Sequence, residues 1–60
     1  MHLGYTFINA DGYPIGNAQT TLEAAEEVAC FEPEGWFYSI EFDDASDVVF
    51  LRRIYRKEGA

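Results

Sequence analysis

Cysteine and histidine are the side chains of this sequence best suited to nucleophilic chemistry, and each occurs once, as Cys30 and His2. A thiol–imidazole pair works only when the two groups are within hydrogen-bonding reach and a third group orients the imidazole. Here they belong to separate elements, no third group is identifiable, and the glutamates just before Cys30 disfavour a thiolate. We therefore expect no catalytic residue and no enzyme.

Metal binding is the next chemistry to consider. A structural zinc site takes four nitrogen or sulfur ligands, which Cys30 and His2 cannot supply. Asp43, Asp44 and Asp47 offer oxygen ligands for a hard cation, but they lack the twelve-residue calcium-loop spacing with its distal glutamate. We interpret these aspartates as a solvated turn, and we expect no metal site and no cofactor.

The charge is unevenly distributed along the chain. Eleven acidic and four basic residues give a net charge of −7, and all the basic residues lie in positions 52–57. Phosphate binding needs a basic surface, so we expect no direct nucleic-acid binding. The acidic side chains instead predict contact with a basic protein partner, through Glu23, Glu26, Glu27, Asp43, Asp44 and Asp47. Two alternatives remain open: the acids only solubilise the chain, or Arg52 and Arg53 are neutralised locally by Glu41 or the helix glutamates.

The first half of the chain predicts a hairpin followed by a helix. Leu3, Tyr5 and Phe7 alternate with other residues as in a strand, Asp11-Gly12 is a strong hairpin signal, and the return strand Tyr13–Ile15 is short or absent. A helix is predicted from about Thr21 to Phe31. Its N-cap would be Thr20, in a capping box with Glu23, and its apolar side would consist of Leu22, Ala25, Val28 and Ala29.

The second half, from Trp36 to Lys57, predicts another hairpin around a turn at residues 43–47. Strand alternation places Trp36, Tyr38, Ile40 and Phe42 on one face, which we expect to meet the helix. The expected register pairs Trp36 with Ile54, Ile40 with Phe50 and Phe42 with Val48. A one-residue slip, or a bulge at Arg52-Arg53, is the alternative.

These elements predict an α+β fold: a small two-layer domain with an antiparallel sheet of three to four strands in the order β-β-α-β-β and one helix on one face. We expect residues 1–60 to form a single domain, with 57–60 as a flexible tail. A second apolar set would then face outward and support a homodimer, because one helix cannot cover both faces of the sheet. This set consists of Phe37, Val49, Leu51 and Tyr55.

The remaining expectations concern location and function. A single cysteine favours a reducing compartment, and no apolar run or signal-peptide pattern indicates a membrane, so we expect a cytoplasmic protein with no membrane contact. The leading hypothesis is a small acidic, non-catalytic protein-binding module. Its size and acidity are analogous to inhibitors and regulators encoded by phages and mobile elements. The alternative is a self-associating structural or accessory subunit with no inhibitory role.

Overall fold

The computed structural model describes residues 2–59 and contains four strands and one helix. The elements are β1 (His2–Asn9), β2 (Pro14–Gln19), α1 (Leu22–Val28), β3 (Gly35–Phe42) and β4 (Val48–Lys57). The strands form one antiparallel sheet in the order β2-β1-β3-β4, which makes β2 and β4 the edge strands. The predicted α+β fold and its strand-strand-helix-strand-strand order are confirmed.

The turn between β1 and β2 is held by the side chain of Asn9. Its Oδ1 accepts hydrogen bonds from the backbone N–H groups of Asp11 and Tyr13, at 3.1 and 2.9 Å. The return strand β2 is longer than predicted, because Gly16 adopts a φ of 71° at an irregularity in the pairing and the strand continues beyond it. A side chain is rarely tolerated at that φ, so glycine allows the strand to pass through this bend.

Helix α1 starts one residue later than predicted and ends earlier. The N-cap is Thr21, whose hydroxyl accepts from the N–H of Ala24 at 3.1 Å, so the expected capping box of Thr20 with Glu23 is wrong. The helix ends at Val28 because the N–H of Cys30 bonds to Glu27 in a tighter turn. Phe31 is exposed and offers no buried contact to extend the helix.

The core lies between α1 and one face of the sheet, which we call the helix face. Phe7 and Phe37 are 1% and 2% exposed, and they pack with Ala25 and Ala29 of the helix. The Phe7 and Phe37 rings are 4.7 Å apart, and Tyr55 stacks on Phe37 at 4.6 Å. Small alanines let the helix backbone approach these rings closely.

The opposite face, which we call the open face, carries the residues that were expected to meet the helix. Because Phe37 is under the helix, strand alternation turns the even-numbered residues of β3 away from it. The predicted face is therefore wrong for Trp36, Tyr38, Ile40 and Phe42.

The register of β3 with β4 is close to the expected one only near the turn. Phe42 pairs with Val48 as predicted, but Ile40 pairs with Leu51 and Trp36 with Arg56. Two irregularities cause the shift, one at Val49 and one at Ile54, each adding a residue to β4. The alternative of a bulge in β4 is therefore correct. The bulge expected at Arg52-Arg53 lies one residue later, at Ile54, and a second bulge at Val49 was not expected.

The end of the chain departs from the predicted tail. Lys57 is the last residue of β4, and its Nζ donates to the carbonyl of Ala29 at 2.8 Å. A flexible tail therefore cannot begin at residue 57, and Ala60 lies outside the described residues.

Candidate protein-binding surfaces

The outer side of α1 carries three exposed glutamates, Glu23, Glu26 and Glu27. They lie there because Ala25 and Ala29 occupy the buried side of the helix. Glu26 accepts a hydrogen bond from the hydroxyl of Tyr55 on β4. Among the described residues, the carboxylates of Glu23 and Glu27 form no ion pair and no hydrogen bond with another side chain, so both are available to a partner.

Burial and the contact with Glu26 change how Tyr55 titrates. Burial of the ring, together with the hydrogen bond and the negative charge of Glu26, raises the pKa of Tyr55 from 10.0 to about 12. Folding therefore favours the neutral phenol over the phenolate. The stability from this neutral phenol is fully present below pH 10.0 and is lost as the pH rises through about 12.

Replacing Tyr55 with phenylalanine should consequently remove one component of alkaline destabilisation. We expect the free energy of unfolding of the unmodified protein to fall between pH 10.0 and about 12, and the fall to be shallower in Tyr55→Phe. Urea unfolding across this range measures it. Tyr13→Phe, at an exposed turn, is the matched control and should fall like the unmodified protein. An unchanged slope in Tyr55→Phe would contradict the prediction.

The aspartates of the β3–β4 turn do not all play the role that the sequence suggested. Asp43 Oδ1 accepts from the N–H groups of Ala45 and Asp47, both at 2.9 Å, so this carboxylate closes the turn. Asp44 Oδ1 lies 3.5 Å from His2 Nε2 at the surface. Asp47 is exposed, and its carboxylate has no partner among the described residues. Asp44 and Asp47 are therefore the exposed members of the group.

The two acidic groups are separate surfaces. Glu26 sits above Tyr55, which pairs with Phe37, whereas the turn begins after Phe42 at the other end of β3. Phe37 and Phe42 are five positions apart in β3, a distance of about 17 Å along the strand. A single partner surface would have to be large to contact both groups.

The basic residues are not neutralised in the way considered from the sequence. Among the described residues, Arg56 forms an ion pair with Glu58 at 3.6 Å, and His2 contacts Asp44 in a pair that is ionic only when the imidazole is protonated. Neither pair includes Arg52 or Arg53. The Arg53 guanidinium instead lies 4.8 Å from the centre of the Trp36 ring on the open face. Arg52, at the edge of the sheet, forms no ion pair with another residue in the range 2–59.

The apolar surface predicted for self-association is only partly exposed. Phe37 is buried in the core and Tyr55 is half-buried under the helix, so both were assigned to the wrong face. Val49 and Leu51 are exposed as expected. The sequence analysis missed three exposed apolar neighbours in the same strand: Val48, Phe50 and Ile54. The signal that could have identified Val48 and Phe50 is a run of four apolar residues directly after a turn, whereas Ile54 lies outside that run.

A groove of about 570 Å³ lies on the helix face between the start of α1 and β4. It exists because α1 packs mainly over β1 and β2 and leaves the helix face of β4 uncovered near the turn. Its walls include Leu3, Leu22, Phe50, Ile54 and Arg52. The apolar walls extend the exposed apolar surface of β4 toward the helix.

Cys30 and His2 lie at opposite ends of the molecule. His2 pairs with Phe42, whereas the carbonyl of Cys30 lies near Lys57, which pairs with Gly35. The length of β3 from Gly35 to Phe42 is about 24 Å. The two side chains therefore cannot form a catalytic pair within one copy of the fold. The described residues also contain no group of three or more possible metal-ligating side chains.

Comparisons with protein-family models, curated proteins and solved structures found no match to this chain. The fold defines the class as a small α+β domain with a four-stranded antiparallel sheet and one helix. No helix within residues 2–59 is long and apolar enough to cross a membrane.

Proposed function

We propose that this chain is a non-catalytic protein-binding module that acts in the cytoplasm as an inhibitor or regulator. Its acidic outer helix face contacts a basic surface on another protein. The observation that carries this proposal is the exposure of Glu23 and Glu27 on one side of a helix, with neither carboxylate in an ion pair among the described residues. The basic residues lie on β4, and none of them forms an ion pair with Glu23 or Glu27 among the described residues.

The arrangement supports recognition by charge. Glu23 and Glu27 are one helical turn apart, about 6 Å along the axis, and therefore project from the same side of α1. Glu26 is fixed beside them by Tyr55, so part of the acidic face is ordered before binding. A preformed negative surface speeds encounter with a basic partner and discriminates against acidic ones. The nucleic-acid-binding groove of another protein is the kind of basic surface that such a face would occupy.

The experiment compares two double variants with the same change in charge. One is Glu23→Lys with Glu27→Lys, and the control is Asp11→Lys with Asp44→Lys, at exposed turn positions. Binding to poly-L-lysine is measured by calorimetry at several salt concentrations. We expect the helix variant to lose about tenfold in affinity, or ~1.4 kcal/mol, and the control much less. Binding of the unmodified protein should weaken steeply with salt.

Equal loss of affinity in the two double variants would contradict the proposal, because it would mean that net charge alone governs binding. Binding that is insensitive to salt would contradict it as well. Circular dichroism of each variant establishes that the fold is retained before affinities are compared.

A second candidate function is a self-associating structural or accessory subunit that forms a homodimer. The exposed apolar residues of β4, at the edge of the sheet, favour it. Edge strands carry unpaired backbone groups that readily pair with another strand. Self-association and the acidic helix face use different parts of the molecule and are compatible.

A further inference from the structure

The outer edge of β4 is the most exposed apolar strand segment among the described residues. Val48, Val49, Phe50 and Leu51 are each about half exposed, between 49% and 56%. The neighbour of β4 on one side is β3, and on the other side no described strand covers it. A long apolar edge of this kind is a template for a further strand.

Charges flank this apolar segment with opposite signs. Asp47 precedes Val48 and Arg52 follows Leu51, and neither charge is neutralised by another described residue. The stretch 47–52 therefore consists of an acid, four apolar residues and a base. Two such stretches running in opposite directions place each acid opposite a base and the apolar residues opposite one another. The pattern is complementary to itself, which points to a second copy of the chain rather than to an unrelated strand.

The faces of the side chains agree with this pairing. Val48 and Leu51 lie on the open face, because they pair with Phe42 and Ile40. Arg52 pairs with Ser39 and lies on the helix face. Strand alternation before Val48 directs Asp47 to the helix face as well. The bulge at Val49 makes the agreement possible, because without the extra residue Val48 and Leu51 would point to opposite faces.

The backbone also agrees. Asp47 directs its N–H to the side chain of Asp43 and its carbonyl to the N–H of Asp43, so both groups point toward β3. The alternation of a strand then turns the N–H and carbonyl of Val48 outward. These groups are positioned to bond with the Leu51 backbone of another copy.

We infer that two copies join through their β4 edges in antiparallel orientation, about a two-fold axis between Val49 and Phe50, to form one eight-stranded sheet. Asp47 of each copy then lies opposite Arg52 of the second copy, and Val48 lies opposite Leu51. Both helices lie on the same side of the joined sheet. This inference rests on the self-association proposed above and specifies its register. Pairing centred on the middle of β4 is disfavoured, because it would place Arg52 opposite Arg53.

Charge exchange at residues 47 and 52 tests the register. Asp47→Arg and Arg52→Asp each place like charges at both ends of the symmetric interface, and sedimentation equilibrium should give dimer dissociation constants raised about tenfold or more. An equimolar mixture of the two variants should form a heterodimer close to the unmodified affinity, because every facing pair is again opposite in sign. The double variant Asp47→Arg with Arg52→Asp should also recover. Asp44→Arg, the same charge change in the same turn, is the control and should not alter the dimer.

The outcomes separate the proposals. A dimer that is unaffected by either single variant overturns the register but leaves self-association intact. Single variants that weaken the dimer without recovery in the mixture or the double variant also overturn the register. An unmodified protein that stays monomeric at all concentrations overturns self-association and the register together. None of these results bears on poly-L-lysine binding by the helix glutamates, which is measured separately.

Discussion

Replacing Phe37 with alanine is expected to unfold a large fraction of the protein. The ring is 2% exposed and packs between Phe7 and Tyr55. Truncating a fully buried phenylalanine costs about 3–5 kcal/mol. A 60-residue domain has a total stability of roughly 3–9 kcal/mol, so this one substitution removes much of it. Thermal and urea unfolding followed by circular dichroism measure the loss.

The neighbouring residue provides the matched control. Trp36 is partly buried on the open face and contacts the Arg53 guanidinium. Trp36→Ala should lose that cation–π contact, about 0.5–1 kcal/mol, with part of the burial of the ring, and should remain folded. The expected order therefore places Phe37→Ala well above Trp36→Ala in cost. The reverse order would contradict the placement of the helix on the Phe37 face.

Gly35→Ala is expected to have the second largest effect on stability. A methyl group at Gly35 would lie 2.4 Å from the backbone oxygen of Ile8 and 2.4 Å from Cζ of the Phe7 ring. The carbonyl belongs to the neighbouring strand and the ring is in the core, so neither can move without disturbing the sheet. Overpacking of this kind costs about 1–3 kcal/mol, and we expect the upper end here. Urea unfolding gives the difference from the unmodified protein.

Gly59→Ala is the control for the glycine substitution. The nearest atom to its added methyl group is 3.4 Å away and belongs to the side chain of Glu34, an ordinary contact. We expect a change within about 0.5 kcal/mol. If Gly35→Ala is tolerated as well as Gly59→Ala, Phe7 does not pack over Gly35 as the structure describes.

The order of the elements could be predicted because its signals are local. The Asp11-Gly12 turn, the spacing of apolar residues in the helix and the alternation from Trp36 to Phe42 each depend on a few neighbouring residues. The exact ends were less accurate. Thr20 and Thr21 are both acceptable N-caps in isolation, and only the bond from Ala24 distinguishes them.

The face covered by the helix could not be predicted from the hairpin. Phe37 and Trp36 are both large and apolar, so alternation identifies two candidate faces and does not choose between them. The strands β2 and β3 are parallel, since both run antiparallel to β1, and α1 connects them. The side on which such a connection crosses a sheet depends on the handedness of the whole unit.

The candidate surfaces were predictable to different degrees. The acidic side of α1 follows from helical periodicity and was placed correctly on the exposed side. The exposed segment of β4 depends on the bulge at Val49, which has no local sequence signature and changes the face of every residue beyond it. The structural role of Asp43 depends on the turn geometry, which its neighbours in sequence do not specify.

Amide hydrogen exchange of the unmodified protein, resolved by residue at low and high concentration, tests the association through β4 most directly. The expected result is slower exchange of the Val48 N–H at high concentration, because that group then bonds to a second copy. Amides of β1, which pairs with a strand on each side, should exchange equally slowly at both concentrations. Val48 exchange that is fast and independent of concentration, in a protein that sedimentation identifies as a dimer, would contradict pairing through this edge.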